Sequence, residues 1–163
     1  YSYVLKHEVI LDVMTIAAGF VLRVVAGAVV IRVEPSSWIL LCAGLLALLL
    51  AFAKRRHEVL AVGGSGRHRQ VLEQYGLQFL DAMIIVTAAT TVSAYAVYTA
   101  TGEPATHHLV VTFPFVLFGI FRYLWLVFHQ EEGGSPSDLL LTDRPLIAAV
   151  VLWAVVAAVA LET

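Results

Sequence analysis

Five apolar runs, at 9–31, 38–53, 77–98, 109–128 and 145–161, leave this chain of 163 residues little choice of fold. A helix rises about 1.5 Å per residue, so runs of this length match a hydrocarbon core roughly 30 Å thick. The second and fifth are short, a deficit that snorkelling side chains or local bilayer thinning absorbs. With 60% hydrophobic and only 13% charged residues, the chain lies far from the composition of a soluble domain. An integral membrane protein is predicted. Backbone groups in lipid must be satisfied within the chain, and alternating ten-residue segments of the barrel type are missing from the sequence. The predicted fold class is therefore all-α, a bundle of five transmembrane helices.

Orientation follows from the cations. If the N-terminal residues, the connection at 54–76 and the connection before 145 share one side, that side gathers Lys6, Lys54, Arg55, Arg56, Arg67, Arg69 and Arg144, with Arg32 alone opposite. The positive-inside rule makes the rich side cytoplasmic and the C-terminus external, in a multi-pass protein of the inner (plasma) membrane. The chain opens at Tyr1 with neither a methionine nor an n-region before the first run, which predicts a preceding segment. Self-association stays open, and nucleic acid is not expected as a partner. The lone Cys42 lies mid-span and reads as a small packing residue. His107 and His108 lack the further spacing of a metal site.

Chemistry concentrates in two places. On the first run, Asp12 and Arg23 are eleven positions apart, so at about 100° per residue they share a helix face with Gly19. Ionisable groups in a membrane mark a ligand path when they are not a structural pair or a snorkelling arginine, and both readings stand. Gly19, Ala26 and Gly27 predict close approach of a neighbouring helix. The second place is the connection at 54–76, read as a cytoplasmic loop. Lys54-Arg55-Arg56-His57-Glu58 is followed by Gly63-Gly64-Ser65-Gly66 and then by Arg67-His68-Arg69. Arginine forks match phosphate oxygens, lysine supplies a compact charge, and a carboxylate such as Glu58 can hold Mg²⁺ between two phosphates. The competing reading is a basic anchor on lipid head groups. The glycine stretch lacks P-loop spacing and reads as a flexible lid.

Later runs add candidates. Asp81 lies about one turn inside the third run, near enough to join the basic connection, and Arg122 sits toward the end of the fourth, where it could reach a phosphate or snorkel. The hydroxyls of the third run, among them Thr87, Thr90 and Thr91, are expected to bond backbone or neighbours. In Leu141-Thr142-Asp143-Arg144-Pro145, Thr142 is the expected N-cap of the fifth helix.

The ordered set Tyr1-Ser2-x-x-Leu5-Lys6, Asp12, Gly19-Phe20-x-x-Arg23-x-x-x-Gly27, Lys54 to Glu58, Arg67 to Tyr75, Phe121-Arg122-Tyr123 and Leu141 to Pro145 resembles the UbiA prenyltransferase superfamily. Within it, the set is similar to the branch of decaprenyl-phosphate phosphoribosyltransferases. The resemblance implies a nine-helix bundle around a central cavity, of which these five helices would be the second half, leaving an N-terminal half of the same protein as a partner. Ser2 and Leu5 depart from the family's Tyr-Pro-x-x-Lys-Arg element, and Lys54 to Glu58 stands where typical members carry a second Asp-rich motif. That replacement fits transfer of phosphoribose rather than a prenyl chain.

The resemblance further implies a transferase that moves 5-phosphoribose from phosphoribosyl pyrophosphate to a polyprenyl (decaprenyl) phosphate, with Mg²⁺ as cofactor and pyrophosphate released. Positioning and electrostatic stabilisation would supply most of the acceleration. Asp12, Arg23 and Glu58 are the implied catalytic or cavity-lining residues, with Glu58 on the metal, and Lys6, Lys54, Arg55, Arg56, Arg67, Arg69 and Arg122 the implied substrate contacts. One alternative is a prenyltransferase acting on a small acceptor. Another is a non-catalytic membrane subunit or half of a transporter, for which inverted repeats would speak.

Overall fold

A computed structural model describes residues 2–62, 67–101, 104–129 and 141–162, with side chains over 10–61, 76–101, 108–129 and 141–160. It is all-α: α1 (Ser2–Val30), α2 (Ser37–Val62), α3 (Arg67–Thr101), a 3-10 helix (Pro104–Thr112), α4 (Phe113–His129) and α5 (Arg144–Glu162). Four segments are long and apolar enough to cross a membrane, Ile10–Val30, Ser37–Ala61, Gly76–Thr101 and His108–His129, while Arg144–Ala160 is a shorter apolar helix. No strand occurs among the described residues. The chain divides into two compact units, Tyr1–Ala89 and Thr90–Thr163.

The first unit is built on α1 against α2. Small residues let the two backbones come close: a Cβ on Gly44 would lie 3.3 Å from the Val21 side chain. Val13, Ala17, Ala47, Leu49, Phe52 and, from α3, Leu80 and Ile84 are buried. Gly19 and Gly27 do not serve this contact as expected, because a Cβ on either would meet nothing within 4 Å. The turn between α1 and α2 explains itself locally. Arg32 adopts φ 57°, and its N–H bonds to the Val29 carbonyl while that of Val33 bonds to Ala28, the two bonds of a Schellman ending. The Ser36 side chain then caps α2 by accepting from the Ile39 N–H at 3.2 Å.

The main correction concerns the connection at 54–76. Lys54 to Glu58 is not on a loop: α2 continues through the basic run to Val62, and α3 already begins at Arg67. Lysine, arginine, glutamate, leucine and alanine are all good helix formers, and no glycine or proline interrupts the sequence before Gly63. Residues 63–66, read as a flexible lid, lie outside the described residues.

In the second unit α4 and the 3-10 helix both pack on α5. The Tyr95 hydroxyl shares a 2.5 Å hydrogen bond with Thr112 and accepts one from the Trp153 indole at 2.9 Å. Thr112 is fully buried and donates in turn to the Leu109 carbonyl. Thr87 and Thr99 bond back to carbonyls one turn earlier, as expected of hydroxyls in apolar helices. The start of α5 differs by one residue from expectation: the cap is Asp143, not Thr142. Its carboxylate accepts from the Leu146 N–H at 2.9 Å and its carbonyl from that of Ile147.

Candidate anion site at the end of the second helix

Continuation of α2 past Ala53 puts the basic run on a helix instead of a loop, with its side chains in fixed register. Arg55 and Arg56 are consecutive, so they project about 100° apart and reach different neighbours. Arg55 donates from Nη1 to Glu58 Oε2 at 2.7 Å, a contact between adjacent turns of α2, and from Nη2 to Asp12 of α1. Arg56 donates from Nε to Asp81 Oδ1 of α3 at 2.6 Å. The Arg56 residue is only 8% exposed, whereas the Arg55, Asp12 and Glu58 side chains are half-buried. One end of α2 is therefore tied to both α1 and α3 by charge-assisted hydrogen bonds.

Electrostatically, two guanidiniums and Lys54 stand beside three carboxylates. Lys54 is exposed, so it is the cation most open to a new anion. An incoming phosphate would meet fixed donors already desolvated on one side, a setting in which a charged hydrogen bond is stronger than in water. Asp81, expected to join the basic run, is brought to it, and so is Asp12, which the sequence places on one helix face with Arg23 instead. Arg23 is not: eleven residues along α1 separate it from Asp12 by about 16 Å of helix, and it lies exposed beside the Phe20 ring. The side chains of Lys6, Arg67 and Arg69 lie outside the described residues.

The fit to Mg²⁺ is poor. Glu58, the expected metal ligand, faces Arg55, and Asp12 and Asp81 also face guanidiniums. Among the described residues no group of three His, Cys, Asp or Glu side chains is placed to hold a metal ion.

Arg122 belongs to the second unit, where sequence reasoning missed its partner. It bonds Asp143 through both Nε, at 3.2 Å, and Nη2, at 2.8 Å. Its guanidinium also lies 4.8 Å from the Trp125 ring, which stacks on His129. Asp143 thus caps α5 and anchors α4 at once. Twenty-one residues separate the pair, and only the one-residue shift of the cap could have pointed to it.

No protein-family model matches the chain. It is 29% identical over 159 residues to a Corynebacterium glutamicum protein named decaprenyl-phosphate phosphoribosyltransferase, covering 94% of the chain and 47% of that protein. A protein of the same name from Mycolicibacterium smegmatis is 28% identical over 165 residues, covering 94% and 51%. One from Mycobacterium tuberculosis is 27% identical over 156 residues with the same coverage. Over nearly all of its residues the chain is similar to proteins named decaprenyl-phosphate phosphoribosyltransferase, and it spans about half the length of each.

Proposed function

We propose that the chain is part of a UbiA-type membrane transferase that moves 5-phosphoribose from phosphoribosyl pyrophosphate to a polyprenyl phosphate. The observation that carries this reading is the adjacent pair Arg55 and Arg56 at one end of α2, each steadied by a carboxylate from another helix. The names of its relatives support the same reading. By the positive-inside rule this end of α2 faces the cytoplasm, where a soluble, highly anionic donor is found.

In the reaction the bond from the anomeric carbon to the pyrophosphate oxygen breaks, and a lipid phosphate oxygen forms the new bond to that carbon. Negative charge collects on the departing pyrophosphate. Lys54 and Arg55 offset that charge, with Arg67 and Arg69 and the N-terminal Lys6 as further contacts. Asp12 and Glu58 act as positioning residues, holding the Arg55 guanidinium in one orientation before the donor arrives. Such preorganisation lowers the reorganisation needed as charge develops.

The donor is the point to test. Purified protein in lipid is given either labelled phosphoribosyl pyrophosphate with polyprenyl phosphate or labelled prenyl diphosphate with a small acceptor. Transfer of label to the acceptor is expected with the first pair alone. Incorporation only from the prenyl diphosphate would replace this reading by that of an ordinary prenyltransferase.

A further inference from the structure

Four arginines lie within the segments able to cross a membrane, and three of them face carboxylates: Arg55 pairs with Asp12 and Glu58, Arg56 with Asp81, and Arg122 with Asp143. The fourth differs. Arg23 is exposed, and among the described residues its guanidinium carbon has the Phe20 ring, 5.4 Å away, in place of an anion. It sits seven residues from the nearer end of the span Ile10–Val30. That is about 10 Å of helix, further than an arginine stem can snorkel. A guanidinium facing lipid at this depth is strongly disfavoured, so this face of α1 requires a polar cover.

The shape of the face says what kind of cover fits. Gly19 and Gly27 are one turn to either side of Arg23 on the same face, and a Cβ on either would meet nothing within 4 Å. Such a row admits another helix backbone at close range. Of the four candidate spans, the one in α1 is also the least buried. A second copy of the chain does not supply the countercharge, because Asp12, Glu58 and Asp81, the acidic residues of the described spans, already face arginines. A lipid phosphate lies at the bilayer surface rather than at this depth.

We propose that this face of α1 docks a transmembrane helix bearing a carboxylate near the bilayer midplane. Arg23 forms the interhelical ion pair, and Gly19 and Gly27 seat the partner's backbone. The inference does not depend on the transferase reading.

The test uses the 163-residue chain in lipid vesicles with labelled polyleucine transmembrane peptides that carry one central Glu, Gln or Lys, and reads association by energy transfer. The Glu peptide is expected to associate at least ten-fold more tightly than the other two. Arg23→Leu should abolish the difference and Gly27→Leu should weaken association, whereas Arg23→Lys, with the charge retained, should preserve most of it. Equal association of all three peptides would overturn the proposal, as would a Glu preference that survives in Arg23→Leu. Arg23-dependent binding of inorganic pyrophosphate without any peptide preference would also overturn it, assigning the arginine to an anion cavity.

Discussion

Asp143 shows how much one side chain can hold together. Its carboxylate caps α5 through Leu146 and receives two bonds from Arg122 of α4. The Arg122 guanidinium holds the Asp143 carboxyl below the usual carboxylate range. A folded-state value lower than the unfolded one, about 3.9, means the contribution is complete above that pH. It fades as the pH falls through the folded value. Asp143→Asn keeps an oxygen for the cap and loses the charge, while Asp143→Ala loses both. Thermal unfolding in detergent at neutral pH should therefore rank wild type above Asn and Asn above Ala, the last step being about 1 kcal/mol for the cap. Equal stability of the two variants would remove the capping role. At this scale the sequence was only partly legible: the helix start was marked by Asp143 and Pro145, but the partner twenty-one residues away was not. The same holds for Asp12 and Arg55, forty-three residues apart, because nothing local announces a pair that only packing creates.

Elements were legible where composition and breakers agreed. The apolar runs mark the centre of each long helix but not its ends: α1 and α3 begin at Ser2 and Arg67, α2 carries the charged residues to Val62, and the 3-10 helix Pro104–Thr112 has no run of its own. Charge does not end a helix: α2 runs on through Lys54 to Glu58 as far as Val62. The end of α1 is the opposite case, a left-handed residue without the glycine that usually betrays it. Arg32 sits at φ 57° in the Schellman ending, a conformation that costs a residue with a Cβ about 1 kcal/mol. Arg32→Gly removes that cost, although glycine loses more freedom on folding. The expected net effect is no loss of stability and a gain of up to about 1 kcal/mol, whereas Arg32→Val, β-branched and ill-suited to this region, should destabilise the turn. Denaturation midpoints of the two variants check this, and a clear loss for Arg32→Gly would contradict it.

At the scale of the whole molecule, apolar composition points to a membrane setting, and four helices are long and apolar enough to cross one. The candidate site was legible as a charge cluster but not as a rigid array, since the carboxylates that steady it come from α1 and α3. That rigidity is the centre of the account: the end of α2 is proposed to grip the donor's diphosphate with guanidiniums held in place before binding. The most direct measurement is transfer of labelled phosphoribose to polyprenyl phosphate by the Arg55→Ala protein, with its fold checked by circular dichroism. Loss of one preorganised donor to a departing anion lowers turnover by about 10²- to 10³-fold in comparable sites. A loss of that order is expected, only partly restored by Arg55→Lys, which supplies the charge without the fork. Turnover by Arg55→Ala within a few-fold of wild type would contradict it.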